Sequence, residues 1–478
     1  MRAYDKFYIN GQWVDPAQGG ETISVINPAT EEVAGSVRQA SEADVNLAVD
    51  AAYNAFPGFS RTPLSERLEL LEAISAVYKR RMGEMADAIT EEMGAPLNSI
   101  SRALQVPTGL GHFQSTIAAA KSYEFERQQG NTLIVKEPVG VCALITPWNW
   151  PMNQVTCKVA PALATGCTMI LKPSEMAPFS AQLFAEILHE AGVPAGVFNM
   201  IHGDGAKLGP VLSSHARVDM VSLTGSTRAG ASVSANAANT VKVVSLELGG
   251  KSANIILDDA NLEKAVTHGV LSMMNNSGQS CNAPSRMLVP EHRLEEVEQI
   301  AAAALNKLVV GDPKDAATTT GPIANGRQFG RVQALIEKGI NEGAKVVAGG
   351  AGRPEGLDKG FFVRPTIFSR ANNEMTIARE EIFGPVLTII PYRTEEEAIA
   401  IANDTVYGLS GYVFGGTIER ARDVARQLRT GMVHLNGASL DITAPFGGYK
   451  QSGRGREWGA AGLDEFLETK SVLGAKAA

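Results

Sequence analysis

One thiol, Cys281 in the string Asn276-Ser277-Gly278-Gln279-Ser280-Cys281, and one carboxylate 34 residues earlier, Glu247 in Leu246-Glu247-Leu248-Gly249-Gly250-Lys251, are the residues of this chain best suited to covalent chemistry. A cysteine sulfur traps a carbonyl carbon once deprotonated, and a nearby carboxylate can activate the water that releases the trapped group. Each stands among small or glycine residues, which leave a substrate room to approach. A free thiol has a pKa of about 8.5, so only a few per cent is thiolate near neutral pH and activation is needed.

The elements around these residues must position them. Continuous apolar runs at 141–146, 168–171, 197–201, 218–223 and 241–246 alternate with helical patterns at 155–164, 180–191, 206–213 and 227–238. Strands without apolar/polar alternation are buried on both faces, as in a parallel sheet. Five of them with helical crossovers predict a doubly wound, Rossmann-like unit. From residue 252 a second α/β pattern follows, with strands at 253–257, 287–289, 386–390, 411–414 and 432–435 and helices at 294–308 and 395–403. Helical patterns at 42–55 and 65–92 precede both units. The run 132–137 reads as a strand outside them that pairs with the C-terminal tail or with another chain.

In an open parallel sheet, ligands bind outside the carboxyl ends of the strands. Here those ends run into Pro147-Trp148-Asn149-Trp150-Pro151, Lys172-Pro173-Ser174-Glu175, His202-Gly203-Asp204-Gly205, Thr224-Gly225-Ser226-Thr227 and Glu247-Leu248-Gly249-Gly250. Glycine, proline and polar residues mark loops anyway. Five such loops on one edge, with a lysine, carboxylates and glycine turns, point to a binding site. Gly225 and Gly230 bracket a glycine turn that opens a helix directly after a strand, where free N–H groups suit a pyrophosphate. Gly250-Lys251-Ser252 is not a P-loop, because Ser245 stands where the first glycine is required, and Gly203-Asp204-Gly205 with Gly209 is one residue too long for GxGxxG.

Composition narrows the classes. A chain of 478 residues, 44% hydrophobic and 20% charged, is a soluble globular protein of two or three domains. Its net charge of -8 argues against general nucleic-acid binding. No apolar run follows Met1-Arg2-Ala3-Tyr4-Asp5-Lys6, so no signal peptide is expected. The longest apolar stretch, 159–171, is broken by Pro161, Thr165 and Gly166 and is too short to span a bilayer, so no membrane partner is expected. Cys142, Cys157, Cys167 and Cys281 make no CxxC pair, the seven histidines are scattered, and no HExxH occurs. Neither a metal site nor a disulfide framework is expected, and a reducing cytoplasm is the expected location. Cys142, Cys157 and Cys167 read as buried, inert thiols, and Lys158 as a solvated helix position.

Taken in order, these motifs resemble the NAD(P)-dependent aldehyde dehydrogenase superfamily. The resemblance runs from Asn27-Pro28-Ala29-Thr30 to Pro445-Phe446-Gly447-Gly448-Tyr449-Lys450 and passes through 146–151, 172–175, 224–227, 247–251, 278–281 and Glu381-Ile382-Phe383-Gly384-Pro385. It implies an α/β fold with a Rossmann-like cofactor domain (1–119 and 139–250), a second α/β catalytic domain (251–449) and a small β oligomerisation flap (120–138 and 465–478). Assembly as a homodimer or homotetramer is implied too. The implied reaction is oxidation of an aldehyde to its carboxylic acid through a thiohemiacetal and then a thioester on Cys281. Asn149 and the Cys281 backbone N–H resemble the oxyanion hole, and Glu247 the base that activates water. Glu457 matches a carboxylate that acts as auxiliary base or proton relay, or else makes a surface or structural ion pair.

The resemblance also places residues on the cofactor. Thr146, Pro147, Trp148, Ser174, Gly205, Thr224, Gly225, Ser226, Leu248 and Gly249 would surround a dinucleotide. Lys172 and Glu175 match the adenosine-ribose site, where a carboxylate accepts both ribose hydroxyls and repels a 2′-phosphate, favouring NAD over NADP. Glu381 and Phe383 match positions on the nicotinamide ribose and ring, and Glu380 reads as a helix-end charge.

The substrate tunnel is expected to be lined by Trp150, Asn153, Gln154, Cys157, Ser280 and Asn282 and by the loop that holds Leu440 and Ile442. That set has few bulky aromatics and neither lysine nor arginine. A short dicarboxylic semialdehyde wants a cation, and a trimethylammonium group wants an aromatic cage. A medium-chain aliphatic aldehyde is therefore the expected substrate, with an aromatic aldehyde or another semialdehyde next. Two rival functions fit less well. A CoA-acylating semialdehyde dehydrogenase usually lacks the water-activating carboxylate, and a non-catalytic binding or structural protein need not keep Cys281, Glu247 and Asn149 together.

Overall fold

Two seven-stranded sheets organise the chain, described by a computed structural model over residues 2–475. In the first sheet Val243–Glu247, Met220–Thr224, Val141–Ile145, Thr168–Lys172 and Phe198–Met200 lie parallel in that order. The middle strands are buried at every residue, which is why their sequences carry no alternation. A hairpin of Phe7–Ile9 and Gln12–Val14 adds two antiparallel strands at the Phe198–Met200 edge. These three-residue strands are too short to show a period, and the sequence reading did not expect them.

The crossover helices are Pro151–Thr165, Pro178–Glu190, Gly205–Ser214 and Thr227–Ala237. Proline opens the first two, where its missing N–H costs nothing, and Asp204 and Ser226 cap the other two through their side chains. The pattern expected as one helix over 65–92 is two, Leu64–Arg80 and Met82–Met93, parted at Arg81. A π-helix, Leu97–Gln105, then leads into Val106–Ser122.

The second sheet has the order Lys345–Ala348, Thr366–Ser369, Val386–Tyr392, Arg286–Pro290, Ala253–Ile256, Ser410–Phe414 and Met432–Leu435. Only the Lys345–Ala348 edge strand runs antiparallel, and the first two strands lie beyond the five expected. Buried Arg286 pins this sheet by donating to the carbonyls of Lys251, Ile401 and Ala402. Two small sheets complete the fold. One joins Arg2–Tyr4, Val33–Arg38 and Thr22–Ile26; the other joins Leu467–Leu473, Thr132–Pro138 and Glu126–Gln129. Of the two partners open to 132–137, the structure shows the C-terminal tail, in antiparallel register from Leu467↔Pro138 to Leu473↔Thr132. Positions 476–478 of the expected flap lie outside the described residues. No helix among the described residues is long and apolar enough to cross a membrane.

Candidate active site

The segment before Cys281 is held in an unusual backbone path. Asn276, Ser277 and Gly278 follow one another with φ of 51°, 56° and 70°. Such conformations cost energy for side-chain-bearing residues and persist only when the surroundings impose them. Here they do. Asn276 Nδ2 donates to Asn149 O at 2.8 Å, and Ser277 Oγ donates to Gly321 O at 2.8 Å. Gln279 Oε1 accepts from Ala324 N at 2.9 Å. A Cβ on Gly278 would stand 2.1 Å from Gly384 O, and one on Gly250 would stand 2.3 Å from Cys281 O. Glycine at these two places lets the 247–251 and 381–385 loops close on Cys281.

Two cavities meet at Cys281. The first, about 210 Å³, is lined by Pro147, Trp148, Asn149, Thr224, Gly225, Ser226, Leu248, Gly249, Glu381 and Phe383, all singled out from sequence. Gln328 and Arg331 join them unannounced. Gln328 Nε2 donates to the carbonyls of Ile382 and Phe383 at 2.8 and 3.0 Å and so holds Phe383 at φ 58°. Phe383 meets Trp148 edge-on, with centroids 5.5 Å apart. Thr146, Lys172, Ser174, Glu175 and Gly205 lie off this lining. Lys172 Nζ pairs with Glu175 Oε2 at 3.0 Å, and a Cβ on Gly205 would be 3.3 Å from that ammonium, so these three gather at adjacent strand ends. Ser174 Oγ accepts from Met176 N and turns its loop.

This set fits a dinucleotide. The N-terminus of Thr227–Ala237 presents free N–H groups beside Gly225. Thr146 Oγ1 and Thr224 Oγ1 are buried without a hydrogen-bond partner among the described residues. Glu381 accepts from Gly250 N at 2.9 Å, and burial raises its carboxyl to about 7.

The second cavity, about 420 Å³, is lined by Trp150, Asn153, Gln154, Ser280, Asn282, Leu440 and Ile442 as expected, and also by Tyr412, His434, His268, Phe446 and Trp458. It is more aromatic than the expected set, and among the described residues no charged side chain lines it. Tyr412 and His434 stand inside neighbouring parallel strands of the second sheet, in register with each other, and no local sequence signal marks either one. Trp150 Nε1 donates to Ser280 Oγ at 2.8 Å, and Tyr412 Oη donates to Asn282 O at 2.8 Å. His112 Nε2 lies 2.6 Å from Asn153 Oδ1, which leaves the amide N–H groups for the cavity.

Cys157 is a correction. It lies off the tunnel lining, packed with Leu409, Phe446 and Trp458, and its Sγ is 3.3 Å from Glu457 Oε2. Lys158 is another. Every residue of Pro151–Thr165 except Asn153 is buried, so the helix has no solvated face for a lysine. Lys158 Nζ bonds Glu457 Oε1 and, at 2.8 Å, Ser222 Oγ. Glu457 is thus half of a buried ion pair, not a surface one.

The electrostatics at the centre favour neutral groups at rest. Burial pushes the Cys281 thiol up, and the charges of Glu381 and Glu247 push it further. Burial likewise raises Glu247 well above the usual carboxylate range; Glu457 adds to the rise, while Lys158 and Arg456 oppose it. Neither Glu247 oxygen has a hydrogen-bond partner among the described residues. Asn149 Nδ2 donates one N–H to Gln279 O at 2.9 Å, leaving its second donor for the space at the thiol. Among the described residues no cluster of three or more metal-ligating side chains occurs.

Comparison with known proteins gives one direction. The sequence model described as the aldehyde dehydrogenase family matches residues 13–472. The chain is 61% identical over 474 residues, 99% of each sequence, to a protein of a Pseudomonas species named 3-succinoylsemialdehyde-pyridine dehydrogenase. A crystal structure of aldehyde dehydrogenase C from Pseudomonas syringae, a cysteine-to-alanine mutant with NAD+ and octanal, shares 52% identity and superposes with a TM-score of 0.98, covering 99% of this chain and 97% of that one. An aldehyde dehydrogenase of Mycobacterium tuberculosis with NAD+ shares 42% identity at a TM-score of 0.95, covering 98% of each.

Proposed function

Because the chain belongs to the aldehyde dehydrogenase family, we propose that it oxidises an uncharged aldehyde to the carboxylic acid with NAD, using Cys281 as nucleophile. The observation that carries this reading is that Cys281 alone, among the described residues, lines both cavities. A thiol between a dinucleotide-shaped cleft and an uncharged tunnel can hold a substrate carbon where both can reach it.

The thiol must lose its proton before sulfur bonds the aldehyde carbon. The resulting oxyanion takes the free Asn149 amide donor and the Cys281 backbone N–H, each such donor being worth about 3–4 kcal/mol. When bound, NAD accepts the hydride that leaves this carbon, and a thioester remains on Cys281. Glu247, once ionised, takes a proton from water. The water oxygen attacks the thioester, the carboxylic acid departs and the thiolate returns. The Lys158–Glu457 pair acts on the Glu247 charge from behind, Lys158 favouring the ionised form. In this reading Glu457 tunes the base and belongs to the path by which its proton leaves.

Glu381 and the Lys172–Glu175 pair would hold the two riboses, and the Glu175 carboxylate favours NAD over NADP. The 420 Å³ tunnel without a charged wall supports a neutral aldehyde of medium length, and octanal bound to the Pseudomonas syringae relative supports an aliphatic one. A second reading, an aldehyde bearing an aromatic ring, is favoured by Trp150, Tyr412, Phe446 and Trp458 in the wall and by the name of the Pseudomonas relative. The exposed edge of Leu467–Leu473 favours pairing with another copy in a dimer or tetramer, with 120–138 and 465–478 as the flap between the cofactor and catalytic domains of neighbouring subunits. A reducing cytoplasm suits four free cysteines of which one must stay a thiol.

The test is NADH formation across aldehydes from acetaldehyde to decanal, with benzaldehyde and succinic semialdehyde, each with NAD and NADP, for the wild type and Cys281→Ala. Turnover with NAD that vanishes in Cys281→Ala supports the reading. A silent wild type, with or without added CoA, sinks it.

A further inference from the structure

Asn153 is the one residue of the helix Pro151–Thr165 that is not buried, and it lines the tunnel. Its Oδ1 is turned to His112, whose Nε2 lies 2.6 Å away. His112 is 2% exposed, and burial lowers its pKa, which keeps the ring neutral. An amide oxygen only accepts, so Nε2 carries the proton of that ring and donates to Oδ1. Asn153 Nδ2 has no hydrogen-bond partner among the described residues. It is not among the sealed, unpaired atoms either, so it keeps surface open to the cavity that the residue lines.

The helix Val106–Ser122 builds this arrangement. A Cβ on its Gly109 would stand 3.1 Å from Met152 Cβ, so glycine lets the helix lie close beside Asn153. One turn on, His112 holds the amide oxygen and leans on Trp458, with ring centroids 5.2 Å apart. A further turn on, Ser115 Oγ donates to Ile442 O at 3.0 Å and fixes a second part of the tunnel wall. An amide free to turn would offer a substrate either a donor or an acceptor. With Oδ1 held, Asn153 offers N–H alone. A plain alkyl chain lying there would strip water from this donor and give nothing back, whereas a carbonyl, ether or ring nitrogen would replace the lost bond. A carboxylate would accept too, but among the described residues no lysine or arginine lines the tunnel to balance its charge.

We propose that Asn153 Nδ2 is a specificity-determining donor, with His112 as its positioning residue, and that the substrate is an uncharged aldehyde carrying a ketone, ether or ring-nitrogen acceptor on the part that passes Asn153. This rests on the aldehyde dehydrogenase reading and narrows its substrate class.

The experiment compares kcat/KM for heptanals bearing a ketone at the fourth, fifth or sixth carbon with heptanals bearing a methyl group at the same carbon, which match them in shape. Wild-type enzyme is expected to favour the ketone at one position or more. Asn153→Leu, close in volume, and the smaller Asn153→Ala both remove the donor. Either is expected to lower the ketone-to-methyl ratio at that position about tenfold, the size of one hydrogen bond. His112→Phe keeps a ring against Trp458 and frees the amide to turn, so the same ratio should fall in the same direction. A purely structural role for either residue would move both members of a pair together and leave the ratio in place. Wild type favouring the methyl member at every position, a ratio within about twofold of wild type in the Asn153 variants, or one unmoved in His112→Phe overturns the inference while the functional reading stands. No turnover of any aldehyde overturns both.

Discussion

Glu247→Gln separates the two halves of the reaction. The side chain is buried, its two oxygens accept no hydrogen bond among the described residues, and a glutamine has the same shape, so the exchange removes the proposed base and no hydrogen bond. Its environment sets the size of the effect. A general base supplies about 10²–10⁴-fold of rate, or roughly 2.7–5.5 kcal/mol. If Glu247 serves only the attack of water, that whole loss falls on deacylation and acylation proceeds as before. Stopped-flow NADH absorbance should then show a burst of one NADH per active site, followed by a steady rate lowered about 10²–10⁴-fold. Hydroxylamine, which attacks a thioester without a base, should restore turnover.

The pH dependence follows with a definite sign. Burial holds the Glu247 carboxyl protonated well above the usual carboxylate range, so the wild-type steady rate climbs with pH as this group ionises. That limb should be missing in Glu247→Gln. A variant within threefold of wild type in the steady state would refute the assignment. Loss of the burst itself would refute it differently, because the carboxylate would then be needed to deprotonate Cys281, whose thiol burial also pushes up.

Three further outcomes are expected. Lys158→Met leaves the Glu457 charge buried without its partner and should cost about 3–5 kcal/mol, most of it recovered in Lys158→Met/Glu457→Leu, as read from urea midpoints; a single variant as stable as the double would contradict the pairing. Glu175→Ser should raise the NADP-to-NAD ratio of kcat/KM about tenfold by removing one negative charge from the ribose end, and an unchanged ratio would place cofactor choice elsewhere. Buried Glu92 accepts from Phe179 N, Ser180 N and the Ser180 hydroxyl, yet burial outweighs these bonds and raises it from 4.5 to about 8. A folded pKa above the unfolded one means stability that is complete below pH 4.5 and is lost as pH rises through about 8. Glu92→Gln should flatten that decline in unfolding midpoints measured across the range, and an equal slope would argue against it.

What could be read from the chain, and what could not, divides along a physical line. The loops at 146–151, 224–227 and 247–251 were legible because backbone geometry demands particular residues there, and 381–385 through the family resemblance alone. Gly250 and Gly278 leave no room for a Cβ, Ser226 must cap a helix, and fully buried strands must be continuously apolar. Such demands act on one position at a time and leave a local trace. The three-residue hairpin strands and the π-helix leave none, since neither has a period long enough to detect. Lys158 shows the deeper limit. A lysine on a helix reads as solvated until the segment carrying Glu457, about 300 positions away, is seen to fold over it and supply the opposite charge. The tunnel follows the same logic. Its near wall comes from Trp150, Asn153 and Gln154 beside a recognised motif, while its aromatic far wall comes from Tyr412, His434, Phe446 and Trp458, each meaningful only against a partner from another element. The machinery that all substrates share is therefore written locally. The choice among substrates is written in contacts between distant segments, such as the stack of His434 on Tyr412 and its bond to Ala438.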